Sequence, residues 1–527
     1  MTERSAKVVP FAASALPMRN PRDRIKTVEE LAAIVCQLDA AGKKVVQAHG
    51  TFDLLHLGHI RHLEAARRLG DVLVVTVTAD EYVNKGPGRP VFAQELRAET
   101  LAALTYVDWV AVNSAPDAVS AIRCIKPHLY VKGQDYQNPD GDITGKITEE
   151  RRAVEEHGGQ LEFTDEITFS SSTIINRHLN VFEPHVREQL STLREDGGLD
   201  EMLSLIEQVK DYRVLMVGDT IIDEYQYVMP MGKSPKENMI ATRYQDRELF
   251  AGGVIAAANH VASFCRQVDV ITCLGATHSF EDVVRDSLKP NVQLHASMRR
   301  GAPTTRKRRF LDPSYMRKLF EVYFMDDEPL TVDLQRHLDN QIAAMAPDYD
   351  LVIATDFGHG LIAPSTVEAL TTYARFLAVN TQSNSANLGY NLITRYPRAD
   401  YICIDAPEAR LAVGDRLSNL GDIAHRLTTT KVNCGKIIIT QGKHGCVTYQ
   451  RGSVVHTIPA FAKNIVDTVG AGDAFLSVTS PLVAAGGAMH RIGFIGNVVG
   501  ALKVEIVGHR RSIDKPSLVK AITGLLK

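Results

Sequence analysis

Short uninterrupted runs of β-branched and other apolar residues recur along this chain, each separated from the next by a stretch with helical spacing. Val72-Leu73-Val74-Val75-Thr76-Val77 and Arg213-Val214-Leu215-Met216-Val217-Gly218 are the clearest of them. A strand whose residues alternate between apolar and polar has one wet face, whereas an unbroken apolar run is covered on both. Parallel neighbours need a crossover long enough to hold a helix, so such runs alternating with helices make an open parallel sheet with helices on its faces. The fold class expected from this pattern is α/β.

The pattern occurs in two series. Residues 1–22 are polar and punctuated by proline, and are expected to be a disordered tail. A helix is predicted over Thr27–Leu38, a strand over Lys44–Gly50, a helix over Ile60–Leu69 and a strand over Val72–Val77, which together form a βαβ unit. Further strands at Trp109–Val112, Leu129–Val131 and Leu161–Phe163 complete a first domain over 23–180. Residues 181–207 are charged and helical in pattern without strand signals, and are expected to be a helical linker. A second α/β domain over 208–527 opens with Arg213–Gly218 and continues with runs at Val268–Cys273, Asp350–Ala354, Tyr401–Ile404 and Lys436–Thr440. Two domains agree with the length, since 527 residues exceed what one core of about 250–300 residues organises.

Composition narrows the functional classes. With 45% hydrophobic and 23% charged residues, 37 Gly and 22 Pro, the chain is neither disordered, collagenous nor a coiled coil. Lys and Arg number 59 against 62 Asp and Glu, so no global positive field draws it to nucleic acid or anionic lipid. Seven scattered cysteines without a C-x-x-C pair argue against a disulfide framework or a zinc site, and a reducing cytoplasm is expected. The apolar stretch over 10–17 is short and broken by proline, and no window approaches ~20 apolar residues, so neither a signal peptide nor a membrane span is expected.

Two motifs carry chemistry. Gly50-Thr51-Phe52-Asp53-Leu54-Leu55-His56-Leu57-Gly58-His59 puts two histidines three apart where a strand ends and a helix begins. Ligands of open α/β sheets bind beyond the carboxyl ends of strands, and a helix N-terminus attracts phosphate. Taken alone, the pair fits either phosphate contacts that stabilise a departing pyrophosphate or a structural or zinc-holding role. The second motif is Asp467-Thr468-Val469-Gly470-Ala471-Gly472-Asp473 before an apolar helix. Its small residues let successive N–H groups converge on an oxyanion, and Asp473 stands where a carboxylate takes the proton of an attacking hydroxyl.

The first motif resembles the G-x-F-D…H-x-G-H loop of the nucleotidyltransferase superfamily, and Ser170-Ser171-Ser172-Thr173 resembles its second, Ser/Thr-rich signature. The segments Lys85–Val91, Val107–Val110 and Val131–Tyr136 are similar to the adenylyltransferase half of bacterial bifunctional heptose kinase/adenylyltransferases. That resemblance implies a Rossmann-like domain with His56 and His59 in catalysis and Thr51, Phe52, Lys85, Ser171, Ser172 and Thr173 on the nucleotide, ATP or CTP.

The D-T-x-G-A-G-D stretch resembles the PfkB/ribokinase family of sugar kinases, implying a ribokinase-like domain with a small β lid and Asp473 as catalytic base. By the same resemblance Thr440, Gly442, Gly470, Ala471 and Gly472 contact ATP. Asp219, Asp223, Gly252, Gly253 and Asn259 hold the sugar, and Glu408 acts on Mg2+ through water.

Three departures bear on the substrate. Ala256 stands where the family has Asn, Asp405 replaces the Asn of N-x-x-E, and Val379-Asn380-Thr381-Gln382 stands where heptose kinases carry Asp-Pro-Lys. They point to a different sugar phosphate or a weakened kinase. The basic run Arg299-Arg300 and Arg306-Lys307-Arg308-Arg309 fits either a solvated face or a phosphate contact.

The expected enzyme phosphorylates a sugar phosphate, a heptose 7-phosphate by resemblance, and joins a sugar 1-phosphate to a nucleotide for surface glycan supply. Its partners are a sugar phosphate and nucleoside triphosphates, with no nucleic acid and no membrane, in a homo-oligomer. Here the two halves stand in the order opposite to that of the heptose enzymes. Alternatives are a cytidylyltransferase/kinase for another sugar or polyol phosphate, and an active transferase with a non-catalytic sugar-binding half.

Overall fold

Parallel pairing organises both halves of the chain. The computed structural model describes residues 20–83, 89–133, 146–164, 182–326 and 328–526. Its contacts divide into two units that part near residue 180, each with its own core.

The first unit holds a six-stranded sheet of β1 (Ile25–Lys26), β2 (Val45–Gly50), β3 (Val72–Thr78), β4 (Trp109–Asn113), β5 (Leu129–Gly133) and β6 (Gln160–Thr164). The spatial order is β1-β4-β3-β2-β5-β6 and every pairing is parallel. The strand order reverses between β2 and β5, the crevice where such sheets take their ligands. The first helix is Val28–Ala40, closed by a reciprocal capping box between Thr27 and Glu30. Residues 20–22, placed by sequence in a disordered tail, are instead part of an ordered turn: Asn20 caps Arg22, and Arg24 donates to the carbonyls of Ala102, Leu104 and Val107.

The second unit has a nine-stranded sheet and a four-stranded lid. Its strands are β7 (Arg213–Gly218), β8 (Thr220–Lys233), β9 (Ile240–Gly253), β10 (Gln267–Thr277), β11 (Val292–Pro303), β12 (Arg306–Asp312) and β13 (Arg317–Phe324). After these come β14 (Leu351–Asp356), β15 (Leu377–Thr381), β16 (Arg398–Asp405), β17 (Asn433–Thr440), β18 (Cys446–Gln450) and β19 (His456–Ile458). The large sheet runs β11-β10-β7-β14-β15-β16-β17-β18-β19, and the lid runs β13-β12-β8-β9. The large sheet is parallel except for the two pairings beyond β17. Its order reverses beside β7, whose carboxyl end carries Asp219.

The stretch expected to be a linker over 181–207 is helical, as Pro184–Glu195 and Gly198–Gln208. By its contacts it belongs to the second unit. Val186, Leu190, Met202, Leu205 and Ile206 are buried in the same core as β7, β10 and the Ala471–Ala484 helix, so the segment is a layer of the second unit. The charged residues noted in the sequence are its solvent face. Arg194 donates to the carbonyl of Leu526 at 3.0 Å, closing that layer onto the last helix, Lys515–Leu526.

Candidate active sites

In the first unit β2 ends at Gly50 and the chain turns through Thr51, Phe52 and Asp53 into the helix Leu57–Arg68. Phe52 adopts a left-handed backbone, φ 49°, which non-glycine residues seldom accept outside sites that over-determine it. A Cβ at Gly50 would lie 3.1 Å from the Phe52 ring, so that glycine makes room for the turn. The Phe52 ring is buried and meets His59 edge-on at 5.3 Å. Its side chain therefore supports a catalytic candidate and belongs to the core, leaving only its backbone for the nucleotide contact expected from sequence.

Two buried polar groups fasten this turn. Asp53 Oδ1 accepts the N–H groups of Val91 and Phe92 at 2.6 and 3.1 Å. Arg97, 2% exposed, donates to the carbonyls of Thr51 (2.5 Å), Phe92 (2.9 Å) and Thr78 (2.8 Å), and to Asp80 at 2.5 Å. One guanidinium thus ties the carboxyl ends of β2 and β3 together. Sequence reasoning missed Arg97, since nothing local links it to Thr51.

His56 caps the helix, its Nδ1 accepting the Gly58 N–H at 3.1 Å, which leaves the neutral ring's proton on Nε2. His59 stands in the first helical turn, and the two rings stack with centroids 3.9 Å apart. The structure thus brings both histidines to one helix N-terminus. Lys85, Ser171, Ser172 and Thr173 lie outside the described residues.

In the second unit the helix Ala471–Ala484 starts after Gly470, φ 75°, and Asp473 occupies its first turn, 8% exposed. Gln382, at the end of β15, donates to Asp473 Oδ1 at 2.9 Å. Burial, with Asp223 adding to it, pushes the Asp473 carboxyl above the ordinary range, while His509 and Lys503 oppose the shift. A carboxylate so raised accepts a proton more readily. Thr440 closes β17, and Gly442 follows at φ 54° in a single helical turn.

The carboxylates on the sugar side differ from one another. Asp219 lies beyond β7, where it accepts the N–H groups of His359 and Leu361 at 3.4 and 3.3 Å. Burial and the neighbouring Asp356 push it up to about 7. Asp223 on β8 is held well below the usual range: burial works against ionisation, but Arg309 and His509 prevail. A Cβ at Gly252 would fall 2.1 Å from Asp223 Oδ2, and one at Gly253 2.4 Å from the Asp219 carbonyl, so both glycines are required by close approach.

Asn259 is not part of this group. Its amide donates to the Ser287 carbonyl at 2.8 Å and accepts the Lys289 N–H at 3.0 Å, which pins a surface turn. Both ends of its amide are thus engaged away from the carboxylates, contrary to the sugar contact expected from sequence. Glu408 forms a capping box with Asp405 and accepts the Ser383 N–H at 3.0 Å; burial, then Asp405, pushes it up to about 8. Among the described residues no three His, Cys, Asp or Glu side chains cluster as a metal cage. A Mg2+ that arrives on phosphate and keeps its waters needs only one such carboxylate, so Glu408 fits a water-mediated contact.

The basic run is divided by strand alternation. Arg306 and Arg308 face one way, pairing with buried Glu224 at 3.1 and 3.0 Å and lying over the Phe324 ring. Lys307 and Arg309 face the other way, and Arg309 reaches Asp223. The run is therefore neither a merely solvated face nor a row of free cations.

Two family models match the chain, one in each unit. Residues 48–177 match the family described as cytidylyltransferase-like, and residues 212–516 match the pfkB family of carbohydrate kinases. A protein named "Bifunctional protein HldE" from Trichlorobacter lovleyi is 37% identical over 181 residues, 34% of this chain and 35% of that protein. Its namesake from Aliarcobacter butzleri is 43% identical over 129 residues, 24% and 27% of the two chains. The matched stretches span about a third of the length of these relatives. A putative ribokinase from Agrobacterium tumefaciens superposes with a TM-score of 0.46 at 18% identity, over 59% of this chain and 98% of its own. Through residues 212–516, more than half its length, the chain belongs to the pfkB family of carbohydrate kinases.

Proposed function

We propose that the chain is a bifunctional enzyme that makes a nucleotide-activated sugar, with the kinase step in the second unit and the nucleotidyl transfer in the first. The observation that carries the kinase half is Asp473 in the first turn of a glycine-led helix, oriented by Gln382, in one buried site with Asp223. A sugar hydroxyl held by Asp219 and Asp223 attacks the γ-phosphorus of ATP, Asp473 takes the hydroxyl proton, and the Gly470–Gly472 backbone N–H groups receive phosphate oxygens. Bound Mg2+ would supply charge neutralisation on the phosphates, and Glu408 would hold it through water.

In the first unit an oxygen of the sugar 1-phosphate attacks the α-phosphorus of a nucleoside triphosphate, and pyrophosphate leaves. His56 and His59 stabilise the charge that develops, aided by the helix N-terminus. The substrate suggested by resemblance is a heptose 7-phosphate with adenylyl transfer, and Lys307 and Arg309 give the sugar site cations suited to an anionic sugar.

The test assays ADP and pyrophosphate separately across a panel of sugar phosphates and nucleotides. His56→Ala and His59→Ala should each lower pyrophosphate release on the order of 10²–10³-fold and spare ADP formation. Asp473→Asn should stop ADP formation and leave ATP binding intact, because asparagine has nearly the same shape and can still accept from Gln382 but cannot take the proton. The second reading, a sugar-binding half without turnover, is favoured by Arg309 and His509 both engaging Asp223; wild-type protein that makes no ADP with any substrate would establish it.

A further inference from the structure

The second unit's site contains an imidazole that neither motif includes. The His509 side chain is 7% exposed, and its Nε2 stands 3.2 Å from Asp223 Oδ2. The other edge of the ring lies over the anion cradle: a Cβ at Gly470 would be 2.5 Å from His509 Cε1 and 3.2 Å from Nδ1. A Cβ at Gly252 would be 3.2 Å from Nε2, so the ring is fitted between one glycine on the sugar side and one on the phosphate side. Among the described residues, buried Nδ1 has no hydrogen-bond partner. A buried ring nitrogen left unpaired in this way marks a place for a ligand atom.

The backbone that carries the ring is fixed from below. Lys503, fully buried, donates from Nζ to the carbonyls of Val469 (2.8 Å) and Gly508 (2.7 Å), the residues just before Gly470 and His509. Asp467 accepts the Gly508 N–H at 2.8 Å and the Val469 N–H at 3.2 Å, so the same two residues are tied by a carboxylate as well. A long flexible side chain buried without its charge exposed needs such complete pairing, and here the pairing holds the cradle and the histidine in one register.

We propose that His509 is a further catalytic residue of the kinase: held at Nε2 by Asp223, it donates Nδ1–H to an oxygen of the phosphoryl group in transit, with Lys503 as its positioning residue. This rests on the kinase reading above. The sugar hydroxyl oxygen bonds to the γ-phosphorus, the bond from that phosphorus to the bridging oxygen breaks with its electron pair left on ADP, and the hydroxyl proton passes to Asp473. His509 keeps its proton throughout and contributes only where charge builds on the phosphoryl oxygens.

The experiment compares wild type, His509→Ala and His509→Gln by sugar-dependent ADP release and by affinity for ADP with and without aluminium fluoride, a mimic of the phosphoryl group in transit. The glutamine variant preserves much of the volume and covers the case in which alanine does not fold. Both variants should lose kcat on the order of 10²-fold, bind ADP alone as wild type does, and lose the extra affinity given by aluminium fluoride. Lys503→Met should lower kcat in the same direction with ADP binding kept. A kcat within about threefold of wild type, or a loss confined to KM for the sugar, would overturn the proposal by reducing His509 to a prop for Asp223. Wild type that makes no ADP from any sugar phosphate ends the kinase reading, yet the aluminium fluoride comparison still decides on His509. Equal affinity in wild type and variants, or none in either, refutes it.

Discussion

Replacing Arg97 by methionine removes the clamp across β2 and β3 while filling most of its volume. Three carbonyls lose a donor: that of Thr78 is in a buried hydrogen bond, and those of Thr51 and Phe92 are partly buried. Leaving a buried acceptor unpaired costs about 1–3 kcal/mol, so with the Thr78 carbonyl taken at the middle of that range and the other two at its lower end the loss is about 4 kcal/mol together. Asp80, with its side chain 40% exposed, rehydrates and adds little. Urea slopes for small domains are about 1–3 kcal/mol per molar, so the midpoint should fall by roughly 2 M. The chain has one tryptophan, Trp109, on β4, so its fluorescence reports the first unit without interference from the second. Arg97→Lys, with one point of charge in place of a fork, should fall between wild type and the methionine variant. A midpoint shift below about 0.5 M for Arg97→Met would show that the guanidinium is not what holds the turn.

Gly470→Ala places a side chain at φ 75°, costing about 1–2 kcal/mol, and its Cβ displaces His509; ADP formation should drop by tenfold to a hundredfold, on the order expected for ångström-scale misplacement, with pyrophosphate release unchanged. Asp219 is raised to about 7 in the fold against 3.8 unfolded, so its stabilising proton is fully bound below about pH 4 and the benefit is lost as pH rises to about 7. The Tm of Asp219→Asn relative to wild type should therefore widen in the variant's favour between those values and level off above them, and a gap that does not change with pH refutes the burial argument. A fragment spanning 182–527 should unfold cooperatively, whereas one starting at 209 loses Val186, Leu190, Met202, Leu205 and Ile206 from its core. At about 1.5–3 kcal/mol per buried side chain that loss rivals a whole domain's stability. Equal urea midpoints for the two fragments would disprove it.

The strands of both parallel sheets were legible because burial on both faces leaves an unbroken apolar run, as in Val72–Thr78 and Leu351–Asp356. The lid was less so, since β8 and β9 carry polar residues along exposed outer halves and read as loops until paired with each other. The helices over 184–208 show why a helical period names a face but not its destination. The motif residues His56, His59 and Asp473 stood out because each sits on a local turn at the start of a helix. Arg97 and His509 did not, since they come from distant points of the chain, and Gln382, though quoted among the departures, gave no sign that it would meet Asp473. Asn259 misled for the complementary reason: proximity in sequence to the Gly252-Gly253 pair does not fix which way a helical side chain points.

The closure of the second unit's core by its first and last helices has a consequence in time. Arg194 and its partner carbonyl at Leu526 are 332 residues apart in sequence. At about 5–20 residues per second, a ribosome adds that interval in roughly 17–66 s. Until it has passed, the apolar faces of Pro184–Glu195 and Gly198–Gln208 lack the last of their neighbours, the helix Lys515–Leu526, whereas the six strands of the first unit are all synthesised by residue 164. The nascent chain thus carries the strands of one unit and, behind them, an apolar segment awaiting the helix Lys515–Leu526. That interval is when a chaperone has most to do, and when a synonymous change in elongation rate would alter yield without altering any residue.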